Sequence, residues 1–249
     1  MAESPARAFY ARQGNLLSDW WTLLHPPYTL WHLSYVVLGA AMAPTRDWGA
    51  LGASVLAFFL AVGLAAHALD ELQGRPLTTD IGSATLWAAA GIALAGASAL
   101  GITGAFFRDG RNWALAAAIP LGILLVVGYN LELFGGRLHT DWAFAWGWGG
   151  FPVVVGYVAQ SPPLSLSLLV AVTAATLAGV GTSYAQRFLS TPARQLRRHT
   201  LEVTGSLTAT DGTVTRLDRN ALLAPLERAL RALSWAMPMV AIAMLLARA

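Results

Sequence analysis

The most constraining feature of this sequence is the length of its uncharged runs. Residues 142–186 contain no Asp, Glu, Lys or Arg, and residues 48–69 contain none either. Charged residues make up 12% of the 249-residue chain, whereas a soluble domain carries roughly a quarter. A helix needs about 20 mostly apolar residues to cross a bilayer core. The sequence therefore predicts a protein that is embedded in a membrane.

The predicted fold class is all-α, a polytopic transmembrane helical bundle of about seven spans. The sequence QSPPLS at 160–165 separates the fifth span from the sixth, because proline lacks an amide donor and disfavours helix in the preceding residue. The last span is short, since Arg231 and Arg248 bound it, and Arg231 can snorkel. The expected spans are 27–45, 49–69, 82–106, 112–131, 142–160, 164–186 and 231–247.

The arginines predict how the bundle is oriented. Arginine supplies all 16 basic residues. If the N-terminus is inside, the outer side holds only Arg46, Arg108, Arg111 and Arg248. The cytoplasmic side then holds Arg7, Arg12, Arg75, Arg137, Arg187, Arg194, Arg197, Arg198, Arg216, Arg219, Arg228 and Arg231. The positive-inside rule thus predicts a cytoplasmic N-terminus in a multi-pass protein of the inner (cytoplasmic) membrane.

Residues 1–249 form one predicted transmembrane domain with a cytoplasmic insertion at about 187–223. Within it, TLEVTGSLTATDGTVTRLDR alternates in polarity and contains Asp-Gly, which predicts a hairpin. The net charge of +3 is small and the arginines flank apolar spans, so the expected partner is the lipid bilayer and not nucleic acid. The lack of lysine excludes Schiff-base chemistry, and the lack of cysteine excludes thiolate ligands.

Titratable side chains collect at the predicted cytoplasmic end of the bundle. His67, Asp70 and Glu71 end the second span, whereas Glu132 and His139 lie in the turn between the fourth and fifth. Residues three or four apart share a helix face. Oxygen ligands favour Mg²⁺ or Mn²⁺, and added imidazoles favour iron or zinc. We therefore expect a divalent metal held by His67, Asp70, Glu71, Glu132 and His139, in one cavity beside WAFAWGWGG.

The same side chains also have a structural interpretation that does not involve a metal. Asp70 and Glu71 are equally suited to pair with Arg75 at the headgroup level, and Glu132 to pair with Arg137. HTD, at 139–141, contains good residues to cap the fifth helix. His67 is then a hydrogen-bonded structural histidine.

Several segments resemble the UbiA superfamily of intramembrane prenyltransferases. HPPYTLWHLSYVVLGAAMA resembles that family's first span, AAHALDELQGRPLTTDIGSATL its first aspartate-rich motif with the following loop, and residues 129–160 its middle spans. The resemblance implies a prenyl diphosphate bound through Mg²⁺ and transfer of the prenyl group to an apolar acceptor. Asp70 matches a motif aspartate and Arg75 the loop arginine, which makes them the expected catalytic pair.

The second aspartate-rich motif of that family is missing. Gln186, Ser190 and Arg194 stand where acidic residues are expected. Arginine binds phosphate oxygens directly, so Arg194 and Arg198 are expected to contact substrate. The full set of expected substrate-binding residues is His32, Asn130, Asp141, Trp146, Arg194 and Arg198.

Three functions stay open at this point. The first is a metal-dependent enzyme with a UbiA-like bundle, acting on an isoprenoid or other lipid-like substrate. The second is Mg²⁺-dependent prenyl transfer in which arginines replace the missing acids. The third is a non-catalytic lipid-binding or assembly protein whose polar cluster is structural.

Overall fold

The computed structural model describes residues 8–12, 14–108 and 110–247. Within them the chain forms eight helices and one small hairpin. The helices are α1 (Leu16–Leu24), α2 (Pro26–Ala41), α3 (Trp48–Leu72), α4 (Ser83–Phe106), α5 (Trp113–Asn130), α6 (141–158), α7 (Leu166–Arg198) and α8 (Arg219–Leu246). The hairpin strands are β1 (Gly205–Thr208) and β2 (Val214–Leu217).

Five of these helices are long and apolar enough to cross a membrane, namely α3, α4, α5, α7 and α8. α2 has 16 residues, ten of them buried, and it packs against α8 and the second half of α6. Large apolar side chains on α4 and α8, such as Ile92 and Met239, are exposed. Exposed apolar surface of this kind suits contact with lipid. The chain is a multi-pass, all-α membrane bundle, as predicted.

Glycine allows the inner helices to approach closely. A Cβ at Gly149 of α6 would collide with the main chain of Gly179 in α7, and one at Gly156 would collide with the main chain at Val36 of α2. Membrane helices associate through such small residues because van der Waals packing replaces the hydrophobic effect there. The shorter helices α2 and α6 thereby lie in the interior of the bundle.

Two helices contain wide turns at their centres. Residues Phe59–Ala66 of α3 and Ala145–Gly150 of α6 are π-helical. π-helical turns are rare in proteins, and those that occur are often found at functional sites. The first precedes His67, and the second contains Trp146 and Trp148.

The predicted hairpin is present, but the boundaries of the insertion are corrected. β1 and β2 pair antiparallel, with Gly205 opposite Leu217 and a turn at Asp211 and Gly212. α7 continues to Arg198, and α8 begins at Arg219, where the Asp218 carboxylate accepts from the amide of Ala221. The non-helical segment is therefore 199–218 and not 187–223. The last helix likewise starts well before 231, because Asp218 caps it.

Candidate functional site

Most of the predicted site residues lie at one end of the bundle, which we call the Arg-rich end. Here α2 begins, α3 and α5 end, and the last three turns of α7 present their arginines. The other end, where α2 and α8 end and α3 begins, is called the opposite end. The two ends differ in which polar side chains already have hydrogen-bond or ion-pair partners within the protein.

His67 lies one turn from the end of α3 and contacts a second histidine. Its Nδ1 donates to the carbonyl oxygen of Gly63 at 3.0 Å. The ring of His25, between α1 and α2, is perpendicular to it with centroids 4.4 Å apart. His25 has a left-handed backbone (φ 44°), and its Nε2 is buried without a hydrogen-bond partner among the described residues. Burial lowers the pKa of His25 well below its ordinary value, and His67 and nearby arginines add to this effect.

Glu71 is fully buried, and the loop after α3 occupies its carboxylate. Oε2 accepts from the amide of Leu77 at 2.8 Å, and Oε1 accepts from the amide and the hydroxyl of Thr79, both at 2.9 Å. Each oxygen is therefore used in holding the loop. As a metal ligand, Glu71 would have to give up these bonds.

Arg75, predicted to be catalytic, also holds this loop. Its guanidinium donates to the carbonyl oxygen of Ile81 at 2.5 Å and to the Ser83 hydroxyl at 2.7 Å. Its own backbone is left-handed, with φ 54°. These bonds tie the loop to the start of α4, and they give Arg75 a structural role.

Asp70 is one helical turn beyond His67 and is partly exposed. No hydrogen bond or ion pair engages its carboxylate within the described residues. Its charge acts on His67, on Tyr10 of the N-terminal segment and on Tyr129 at the end of α5. Asp70 is thus the carboxylate of the predicted set that is positioned to meet a ligand.

The end of α5 places His139 next to Tyr129. The two rings stack with centroids 4.4 Å apart, and His139 Nδ1 donates to the Tyr129 carbonyl oxygen at 3.1 Å. Glu132 has an exposed side chain, and its Oε1 is 3.9 Å from the same Nδ1, beyond hydrogen-bond distance. Asn130 is buried and donates to the carbonyl oxygen of Val126. Asn130 is therefore turned back onto its own helix.

An aromatic layer separates this end from the interior of the bundle. Phe144 and Trp148 stack in parallel with centroids 5.4 Å apart, and the Tyr129 ring lies 4.6 Å from that of Trp148. His32 is buried beneath it and donates from Nδ1 to the Trp148 carbonyl oxygen at 3.0 Å. Trp146 is half exposed on the outside of α6, so the structure does not place it with the others.

The arginines of α7 differ in their partners. Arg187 Nε is 2.8 Å from the Asp141 carboxylate, and buried Arg197 is 2.6 Å from that of Glu227. Arg194 is partly buried, and its guanidinium donates to the Thr191 hydroxyl across a long distance of 3.5 Å. In the part of the chain that the structure describes, no carboxylate pairs with it. The charges of Arg187, Arg198 and Asp70 all act on Arg194.

These residues do not fit a metal held by several protein ligands. Across residues 8–12, 14–108 and 110–247, no three His, Asp or Glu side chains converge closely enough to hold an ion. Glu71 faces its loop and Glu132 faces outward, so the expected five-ligand cavity is not formed. The divalent metal stays a prediction, which metal analysis of the purified protein tests.

Sequence reasoning did not select Tyr10 or Tyr129 for this end. The Tyr10 ring lies 4.8 Å from that of His25, and burial raises the pKa of Tyr10 to about 12. The Tyr129 hydroxyl is buried and has no partner among the described residues. Neither tyrosine belongs to a motif, and Tyr10 precedes the first span, so only the tertiary structure shows their positions.

Comparisons with known proteins give one similarity of fold. No protein-family model matches the chain, and no curated protein matches it. The chain is similar to a solved structure of a UbiA homolog from Archaeoglobus fulgidus bound to Cd²⁺, at 14% identity and a TM-score of 0.46. The similarity covers 91% of this chain and 83% of the other. The similarity assigns neither a metal nor a substrate to this chain.

Proposed function

We propose that this protein is an integral membrane enzyme that binds an isoprenoid diphosphate at the Arg-rich end and transfers its prenyl group to an apolar acceptor. The observation that supports this proposal is a pair of unpaired charged groups, Arg194 and Asp70, that both act on Tyr129. Arg194 has no carboxylate partner in the described chain, and Asp70 has no cationic one. A site with an unneutralised guanidinium attracts an anion.

The arginines of α7 suit the diphosphate. Arg187, Arg194 and Arg198 lie close enough for their charges to interact, and guanidinium groups bind phosphate oxygens in bidentate geometry. Asp141 neutralises Arg187, so the positive charge that remains is centred on Arg194 and Arg198. A bound dianion or trianion would relieve the repulsion between them.

The aromatic layer suits the apolar part of the substrate. The rings of Tyr129, Phe144 and Trp148 pack together, and the Arg187 guanidinium lies 5.2 Å from the centre of the Phe144 ring. In the transfer step, the bond between the allylic carbon and the diphosphate oxygen breaks, and the diphosphate leaves with the electron pair. The acceptor forms the new bond to that carbon and loses a proton, which we assign to the partly exposed carboxylate of Asp70.

The test measures both binding and turnover. Protein in lipid nanodiscs is titrated with inorganic diphosphate, and diphosphate release is followed with labelled prenyl diphosphates and a quinone precursor. We expect Arg194→Gln to weaken diphosphate binding at least tenfold, since a hydrogen bond to a charged group contributes about 1.5–3 kcal/mol. Arg216→Gln, in the exposed hairpin, is the matched control and should bind as the wild type does.

The outcomes separate the three functions. Asp70→Asn should keep diphosphate binding and lose turnover. Binding without turnover in the wild type would instead favour a lipid-binding protein. Equal binding by the Arg194→Gln and wild-type proteins would overturn the site, and stoichiometric metal in native protein would restore the metal-dependent alternative.

A further inference from the structure

An apolar cavity, partly open to the surface of the bundle, lies between helices away from the Arg-rich end. Its volume is about 380 Å³, and α3, α4, α5 and α6 form its walls. The side chains that line it are small or apolar, among them Ala57, Ala97, Ala118 and Phe151. Cavities of roughly 300–1,000 Å³ with such linings bind small molecules. At its inner limit the cavity meets Trp148, one residue of the aromatic layer.

The polar groups of this cavity lie at the opposite end of the bundle. Arg108, Gly104 and Ala159 line it there, and the same three residues line a second, smaller cavity of about 150 Å³. Asp47, Gly110, Gln160 and Ser161 complete the smaller cavity. The two cavities therefore adjoin, and we call them together the chamber, with the smaller, polar cavity as its mouth.

The mouth contains a buried hydrogen-bond donor without an acceptor. Gln160 is 8% exposed, and its Oε1 accepts from the amide of Asp47 at 2.7 Å. Its Nε2 is buried and has no hydrogen-bond partner among the described residues. An unpaired buried donor costs free energy, because it has lost its hydrogen bonds to water. A ligand that presents an acceptor to Nε2 would recover this free energy.

The charges at the mouth favour an uncharged acceptor. Arg108 forms an ion pair with Asp47, so the charged groups that line the smaller cavity cancel. Asn112 is already engaged, because its Nδ2 donates to the carbonyl oxygen of Val158 at 2.7 Å. A phosphate would approach the Asp47 carboxylate, whereas a carbonyl oxygen accepts one hydrogen bond without that repulsion.

We propose that this chamber is a second ligand site, which binds an uncharged amphiphile with its apolar chain between α3, α4, α5 and α6 and a carbonyl oxygen on Gln160 Nε2. The site is at the opposite end from the diphosphate site and does not depend on the function proposed for that end. Its ligand enters from the other leaflet.

Photolabelling in lipid nanodiscs tests the proposal. The probe is a long-chain methyl ketone that carries a diazirine on its chain, and the comparison probes have the same chain with a terminal phosphate or with no head group. We expect the ketone to label residues of the chamber saturably, at least tenfold more than either comparison probe. Equal labelling by the head-free probe, or stronger labelling by the phosphate probe, would overturn the carbonyl assignment.

Two variants test where the apolar chain and the carbonyl group of the probe bind. Ala97→Phe fills the cavity and should reduce labelling at least tenfold, whereas Ala99→Phe, on the exposed side of the same helix, should not. Gln160→Glu keeps the acceptor for Asp47 and replaces the donor with an oxygen, so it should also reduce labelling at least tenfold. Gln195→Leu, on the exposed surface of α7, is its control. Labelling that survives both Ala97→Phe and Gln160→Glu would overturn the site, and Arg108→Gln provides a second mouth variant if Gln160→Glu does not fold.

The lipid composition distinguishes two sources of the carbonyl. If the ester carbonyl of a bilayer phospholipid occupies the mouth, labelling by the ketone should be lower in ester-linked than in ether-linked phospholipid. Equal saturable labelling in both assigns the site to a free amphiphile. Either result supports the carbonyl site, and absence of saturable labelling in both lipids would overturn it.

Discussion

The two ends of this bundle contain the same kinds of charged group but use them differently. At the Arg-rich end, most polar side chains are fixed by contacts within the protein, as Glu71 is by its loop and Arg187 by Asp141. Among the described residues, the carboxylate of Asp70 and the guanidinium of Arg194 lack an oppositely charged partner, and His25 Nε2 and the Tyr129 hydroxyl lack a hydrogen-bond partner. At the opposite end, one exposed ion pair, Arg108 with Asp47, stands beside an apolar chamber. The comparison teaches that charge density alone does not distinguish the two ends, and both of our proposals therefore rest on the side chains left without partners.

The largest effect on stability should come from substituting Glu71. This substitution tests whether the Glu71 carboxylate holds its loop or binds a metal. Glu71→Ala leaves the amides of Leu77 and Thr79 without an acceptor. We expect the free energy of unfolding to fall by about 3 kcal/mol, measured by denaturant unfolding in detergent micelles. Glu132→Ala, an exposed control, should change it by less than about 0.5 kcal/mol. Unchanged stability together with loss of bound metal would instead support the predicted metal site.

A smaller effect is the difference in coupling energy between the ion pairs of the two ends. Arg187 has a side chain that is 12% exposed, whereas Arg108 is 39% exposed. Double-mutant cycles with Arg187→Gln and Asp141→Asn should give a coupling energy of about 1–2 kcal/mol. Cycles with Arg108→Gln and Asp47→Asn should give less than about 1 kcal/mol, because solvent screens an exposed pair. Equal coupling at both ends would contradict this view of the two regions.

A further effect, confined to alkaline pH, should come from Tyr10. Because burial raises the pKa of Tyr10 to about 12, the folded protein keeps this hydroxyl protonated at a pH where the unfolded chain, with a pKa of 10.0, has lost the proton. The unfolded state then binds fewer protons, so stability falls as the pH rises above 10. Tyr10→Phe should lose less stability than the wild type over the range from pH 10 to 12 and should match it at neutral pH. The same alkaline loss in both proteins would show that Tyr10 is solvated.

Much of the fold followed from local sequence. Each predicted span corresponds to a helix, because uncharged runs and the prolines at 162 and 163 mark where helices lie and where one ends. The Asp211–Gly212 turn likewise marks the hairpin. The predicted spans 164–186 and 231–247 are shorter than their helices, which reach Arg198 and begin at Arg219. Charged residues continue a helix beyond the apolar segment, and no local signal shows how far.

The candidate site was predicted less completely. The sequence indicated that His67, Asp70 and Arg194 lie at one end of the bundle. Successive spans cross the membrane in opposite directions, so the side on which each span ends can be counted along the chain. It did not show that the carboxylate of Glu71 turns into its own loop, or that Tyr10 and Tyr129 join this end. Those outcomes depend on side-chain direction and on contacts between residues far apart in the chain.

By itself, the sequence determined the environment and the architecture of this protein. Long uncharged runs cannot remain in water, and in a bilayer every backbone group must be satisfied within a helix. The tertiary structure alone decided which polar groups stay available. Arg194, Asp70 and the Nε2 of Gln160 differ from their neighbours only in what packs around them, and the cavity between α3 and α6 exists only because those helices fold together.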